Sequence, residues 1–256
     1  MKTLVEYARS NPFIVCAHRG ASGVAPENTI ASLQAALDSG AMMVEIDVQA
    51  TSDDALVVFH DEQLDRTTNG HGLIRQCSLD DVQALDAGSW FGSKFKDEHI
   101  PLLADALLLV RGRAYVNIEI KPLTASEESA KTIHAIVQTV IDCGMSDYAV
   151  FASFDHHALL FIKSIDPHLR TIALNVPSDE RLPHEVVRVC HADAYGCSLE
   201  ELSLERVADC KSHHIPIGVY TVNTNSELEF ALKMGVQGVV SNYPEVIMKH
   251  YLSLSQ

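Results

Sequence analysis

The chain has 256 residues, 47% hydrophobic and 21% charged, an ordinary globular balance with enough length for one large core. Nineteen lysines and arginines face 34 aspartates and glutamates, a formal net charge of −15 at pH 7. That field repels nucleic acid and anionic lipid surfaces, and no cluster of basic residues makes a local exception, so neither partner is expected.

In chain order, residues 1–12 carry Lys2, Glu6, Arg9 and Asn11 and lack the apolar core of a secretory signal. A strand is expected over 13–18, then a turning loop with Gly20, Gly23 and Pro26, a helix over 28–39 closed by Gly40, and a strand over 43–49. Residues 51–100 break the pattern with a short strand ending at His60 and a polar, glycine-bearing stretch. A connection of that length is usually functional, here a lid or substrate wall. The alternation then resumes with strands over 115–121, 148–154, 169–175, 193–198, 216–223 and 238–242. Helices are expected over 102–111, 126–143, 156–165, 185–191, 204–213, 227–234 and 244–251, with Gly144 and Gly235 as left-handed C-caps and Ser126 opening its helix. Eight such units predict an α/β fold, a TIM (β/α)8 barrel with a small insertion after the second strand. A doubly wound open sheet is the alternative. The chain then reads as one domain, 1–256, holding 51–100 as an inserted subdomain. No apolar run approaches the ~18 residues of a membrane span. The six cysteines form no C-x-x-C pair and read as reduced thiols, so a cytoplasmic protein is expected. Oligomeric state is left open.

In a parallel barrel, active sites form at the C-terminal strand ends, where this chain concentrates its chemistry. Glu45 and Asp47 share one strand face, as do Asn117, Glu119 and Lys121. Glu45, Asp47 and Glu119 form an oxygen-only ligand set that suits one divalent cation, Mg²⁺ or Ca²⁺, better than zinc. The bland alternative is a buried salt network of these acids with Arg19 and Lys121. His18 and His60 end separate strands and can bracket a reacting group as proton acceptor and donor. Arg19 offers a planar fork of donors and Lys121 a point charge, which suit phosphate-ester oxygens. Phe154 and Tyr220 at strand ends, with Trp90 and Phe91 in the insertion, can form an apolar wall against the carbon part of a ligand, or pack the insertion onto the barrel. Cys16 is expected in the barrel interior.

The runs His18-Arg19-Gly20 through Pro26-Glu27-Asn28-Thr29, Glu45-Ile46-Asp47-Val48, Val58-Phe59-His60-Asp61 and Leu64-Asp65-Arg66-Thr67-Thr68-Asn69-Gly70 resemble the glycerophosphodiester phosphodiesterase family. The resemblance continues through Asp86-Ala87-Gly88-Ser89-Trp90-Phe91, Asn117-Ile118-Glu119-Ile120-Lys121, Thr221-Val222-Asn223 and Asn242-Tyr243-Pro244, and is closest to the small bacterial type. It implies a TIM barrel with one metal on Glu45, Asp47 and Glu119, His18 and His60 as the acid–base pair, and Arg19 and Lys121 on the phosphate. The implied reaction cleaves glycerophosphodiesters such as glycerophosphocholine or glycerophosphoethanolamine to sn-glycerol 3-phosphate and an alcohol. Tyr220 stands where the family often has tryptophan, and Asn242 where it more often has aspartate. Two other readings compete: a phospholipase D-like lipid hydrolase, and a non-catalytic barrel that binds glycerol phosphate.

Overall fold

A computed structural model of the chain describes residues 1–121 and 127–254. Its first element is one the sequence pattern did not suggest, helix α1 (Leu4–Ser10). Thr3 and Glu6 cap it reciprocally, the Thr3 hydroxyl accepting from the Glu6 N–H and the Glu6 carboxylate from the Thr3 N–H.

Eight parallel strands follow: β1 (Ile14–Ala17), β2 (Met43–Ala50), β4 (Tyr115–Ile120), β5 (Ala149–Ser153), β6 (Arg170–Leu174), β7 (Ala194–Ser198), β8 (Ile217–Tyr220) and β9 (Gly238–Ser241). Each pairs with the next, and β1 pairs with both β2 and β9, through Cys16↔Met43 and Cys16↔Val240, so the sheet closes into a barrel. This excludes the open-sheet alternative. A further strand, β3 (Leu56–Val58), runs antiparallel along the end of β2 and stays outside the barrel.

Helices α2 (Ile30–Asp38), α4 (Leu103–Val110), α5 (Glu127–Asp142), α6 (His156–Ile165), α7 (Pro183–Cys190), α8 (Leu204–Ser212), α9 (Asn225–Met234) and α10 (Pro244–Leu254) link and cover the strands. Each presents an apolar stripe at helical spacing, such as Leu159 and Ile162 of α6, to outward strand residues such as Ile118 and Phe151. Every expected barrel strand and helix is present, its ends within three residues of expectation. Gly40, Gly144 and Gly235 have positive φ, as expected of C-caps. The helix start expected at Ser126 lies outside the described residues.

Between β2 and α4 the chain forms β3, helix α3 (Leu79–Gln83) and several 3₁₀ turns around an apolar cluster of its own, with Phe59, Leu64, Ile74, Val82 and Ile100 buried. At the N-terminal end of the barrel, Leu4 and Tyr7 of α1 pack on Cys16, Met43, Tyr115 and Val150, the inward residues of the strand starts. The Tyr115 hydroxyl also donates to the Lys2 carbonyl at 2.8 Å. Cys16 therefore fills the interior as expected. All six cysteines are unpaired. Among the described residues no helix is long and apolar enough to cross a membrane.

Candidate active site

Strand register brings the three acids together. Parallel pairing sets Glu45 beside Asn117 and Asp47 beside Glu119 on the inner wall, and one carboxylate oxygen from each of Glu45, Asp47 and Glu119 lies within 4.8 Å of the others. Glu45 and Asp47 are almost wholly buried, at 3% and 1% exposure. Burial, followed by repulsion from Asp47 and Glu119, pushes the Glu45 carboxyl well above its usual range. Burial also opposes ionisation of Asp47, but Lys121 and Arg19, with a smaller part from His60, outweigh it and hold that carboxyl below its usual range. Buried oxygens Glu45 Oε1 and Asn117 Oδ1, on paired residues, have no hydrogen-bond partner. An orphaned carboxylate oxygen among two further acids is costly to bury without a cation.

The salt network expected as the bland alternative is also present. Lys121 Nζ bridges Asp47 Oδ1 and Glu119 Oε1, the latter at 2.6 Å, while Arg19 Nε lies 3.4 Å from Asp47 Oδ2. It leaves Glu45 Oε1 unmatched, so it does not by itself account for the site.

The loop after β1 reaches these acids through unusual backbone geometry. Arg19 and Asn28 both adopt left-handed φ, 52° and 59°. The turn aims the Arg19 N–H at Glu45 Oε2, 2.7 Å away, and the Asn28 amide at Asp47 Oδ2, 2.8 Å away. Gly20 sits at φ 77°, where an added Cβ would lie 2.5 Å from the Ser32 carbonyl carbon and hydroxyl, so α2 packs directly on the loop. Thr29 then caps α2, accepting from Ser32 N.

From Arg19 the charges continue outward. Arg19 Nη1 donates to Glu27 at 2.6 Å, and Glu27 takes both arms of Arg66, at 2.7 and 2.8 Å. Arg66 also grips Asp61 through Nε and Nη2, and Asp61 Oδ1 lies 2.5 Å from His60 Nδ1. The Arg66 hydrogen bond, with a further contribution from His60, lowers the Asp61 carboxyl to about 2. Gln49, one turn of pleat beyond Asp47, donates to the carbonyls of Phe59, His60 and Asp61 and fixes the segment that carries His60.

The two histidines are held differently. His18 Nδ1 lies 2.6 Å from Asn242 Oδ1, an oxygen that also accepts from Ser22, so Nδ1 carries the proton and Nε2 is the basic nitrogen. Burial, then the charge of Arg19, lowers the His18 imidazole to about 4, so it is neutral near pH 7. His60 stands a third exposed at a cleft of about 480 Å³, lined by His60, Asp61, Glu62, Gln63 and Lys121. A larger hollow, of about 580 Å³ beside Lys211 and His214, opens at the opposite strand ends and contains none of these acids. Phe154 and Tyr220 meet edge to face with centroids 6.2 Å apart. Trp90 and Phe91 instead pack edge to face within the insertion, and Trp90 is partly exposed.

Residues 18–246 match the glycerophosphoryl diester phosphodiesterase family. The chain belongs to this family. A glycerophosphodiester phosphodiesterase of Caldanaerobacter subterraneus is 34% identical over 238 residues, 92% of this chain and 96% of its own. One of Bacillus subtilis is 32% identical, with 92% and 85% covered. The solved structure of an Oleispira antarctica phosphodiesterase, in complex with its product sn-glycerol 3-phosphate, superposes with a TM-score of 0.89 at 32% identity, over 95% of this chain and 98% of the other. Membership makes the chain a phosphodiester hydrolase on a TIM barrel.

The structure brings His18, Arg19, Glu45, Asp47, His60, Glu119 and Lys121 to one barrel mouth, and adds residues to which the sequence reading gave no role. Asn28 and Asn242 contact Asp47 and His18 directly, whereas Glu27, Arg66 and Asp61 link Arg19 to His60. Their signal was position alone: each sits in a run that carries the family resemblance, yet the partners lie from 1 to 224 residues away.

Proposed function

We propose that this family member hydrolyses small glycerophosphodiesters, such as glycerophosphocholine or glycerophosphoethanolamine, to sn-glycerol 3-phosphate and the free alcohol. The observation that carries the reading is the convergence of two histidines, a carboxylate triad and two cationic side chains at one end of the barrel. The named relatives favour this over the phospholipase D-like and binding-protein alternatives. The chain acts as a single domain, 1–256, in which 51–100 is an inserted subdomain that supplies His60 and one wall of the cleft. Its unpaired cysteines agree with a cytoplasmic setting.

Glu45, Asp47 and Glu119 fit one divalent cation: all donors are oxygen, and Glu45 Oε1 is buried without a partner. Both Mg²⁺ and Ca²⁺ accept such donors. When bound, the cation supplies charge stabilisation to the phosphoryl oxygens.

The side chains divide the remaining work. Arg19 and Lys121 hold the non-bridging oxygens, and Phe154 and Tyr220 pack against the glycerol carbons. His18, neutral with Nε2 basic, accepts a proton from the glycerol hydroxyl next to the ester, and that oxygen attacks phosphorus. His60 protonates the departing alcohol. Water then opens the cyclic phosphate with the two histidines in exchanged roles. Asn242 fixes the His18 tautomer, and Asp61 orients His60.

The test is release of sn-glycerol 3-phosphate from glycerophosphoethanolamine by chelator-treated protein, with Mg²⁺ or Ca²⁺ restored separately. Release that depends on an ion supports the reading and names the ion. No release with either ion overturns it.

A further inference from the structure

Two outer helices gather a second set of metal-type ligands. His184 is the second residue of α7, while Asp209 and His213, four residues apart, lie on one face at the end of α8. Asp209 Oδ1 lies 2.7 Å from His184 Nδ1 and 3.4 Å from His213 Nδ1, so both imidazoles turn the same edge toward one carboxylate oxygen. The rings are nearly parallel, 10° apart with centroids at 4.2 Å. One ligand atom from each residue falls within 4.8 Å of the other two.

This spacing is close to what a small tetrahedral ion requires. Metal–ligand bonds of about 2.0–2.1 Å at tetrahedral angles set neighbouring donors roughly 3.3 Å apart. The observed 2.7 and 3.4 Å bracket that value. An imidazole nitrogen binds a metal in its own ring plane, so the stacked rings take one ion between them only after the half-exposed His213 ring turns about its side-chain bonds. The carboxylate is already oriented, because Asp209 Oδ2 accepts the backbone N–H of His184 at 2.9 Å. His213 Nδ1 now contacts the Asp209 carbonyl and the Ser212 hydroxyl, both at 3.0 Å, bonds that it exchanges for the metal. Asp209 is buried while the His213 side chain is 47% exposed, which leaves the outer side open to water. Two imidazoles and one carboxylate select a zinc-type ion, whereas the oxygen-only set at the barrel mouth selects Mg²⁺ or Ca²⁺.

We propose that His184, Asp209 and His213 form a second metal site, for Zn²⁺ or a similar divalent transition ion, that ties α7 to α8. It is independent of the phosphodiesterase reading, since none of the three residues belongs to the barrel-mouth site.

The test uses the full chain, chelator-treated and then held in excess Mg²⁺, titrated with Zn²⁺ by calorimetry and with Co²⁺ by visible absorption. The unaltered protein binds one Zn²⁺ at least tenfold more tightly than His213→Gln or His184→Gln and shows a Co²⁺ spectrum of low-coordinate, nitrogen-ligated type. Glu119→Gln leaves both readouts unchanged. Zn²⁺ raises the melting temperature of the unaltered protein and not that of His213→Gln, whose change at an exposed helix end spares the fold, as circular dichroism checks. The chain has 13 histidines, so loose Zn²⁺ binding of equal affinity in the unaltered and His213→Gln proteins would overturn the site.

Discussion

Replacing Asn242 with aspartate is expected to change the charge state of His18 while leaving its position intact. The substitution is nearly isosteric, and the oxygen that accepts the Nδ1 proton at 2.6 Å is retained. What changes is a full negative charge beside an imidazole that burial and Arg19 hold at about 4. With an effective dielectric near 20 and charge centres about 3.5 Å apart, the attraction for the imidazolium is about 4.7 kcal/mol, or about 3.5 pK units. Desolvation of the new carboxylate takes back part of this, leaving a rise of about 2 units, so His18 titrates near 6. Since the base must be neutral, the acidic limb of kcat/KM moves up by the same amount, and near pH 5 activity falls about tenfold relative to the unaltered enzyme. The assay is kcat/KM for glycerophosphoethanolamine from pH 4 to 9, with circular dichroism as the folding control. An acidic limb at the same pH in both folded proteins would refute the assignment of His18 as the proton acceptor.

His18→Ala and His60→Ala are each expected to reduce turnover by about 10²–10⁴-fold with unchanged circular dichroism, and near-normal turnover in either would remove that residue from the acid–base pair. Glu119→Ala should weaken Mg²⁺ or Ca²⁺ binding at least about tenfold, and equal affinity by calorimetry would exclude it as a ligand. Gly20→Ala places a methyl 2.5 Å from Ser32 at φ 77°, so a loss of about 3 kcal/mol or more is expected, and an unshifted urea midpoint would contradict this packing. Asp61 has a depressed native pKa of about 2, so its contribution to stability is complete above the unfolded value near 4 and is lost as pH falls between the two. Asp61→Asn should therefore be less stable at pH 6 and show a shallower decline between pH 4 and 2, which urea midpoints across that range will test.

The barrel was legible because both its periodicities are local. Apolar runs such as Val44, Ile46 and Val48 mark outward strand faces, and glycines such as Gly235 mark helix ends. Helix α1 escaped notice because one buried leucine in seven residues leaves little amphipathic signal, although the Thr3–Glu6 capping pair was there to be read. The expected start of α2 at residue 28 fell two residues early because Asn28, at positive φ, serves Asp47 instead of the helix. Of the site, the residues at strand ends could be named from alternation alone: Glu45 with Asp47, and Glu119 with Lys121. The partners that hold them could not, because Glu27 reaches Arg66 across 39 positions and Asn242 reaches His18 across 224. No window of sequence contains such pairs.

Helix α1 gives the barrel a closed floor. Beneath His18 lies Cys16, beneath Glu45 lies Met43, and beneath Asn117 lies Tyr115, with Leu4 and Tyr7 sealing that layer from below. Among the described residues, that packed layer backs the carboxylates from below, and the cleft that His60 borders opens them to solvent above. The barrel works as a cul-de-sac: whatever is made in it must leave by the route the substrate takes in. A phosphate product held there would block the next diester, so product would compete with substrate for one doorway, and the pace of clearing it would fall to the loops of the mouth.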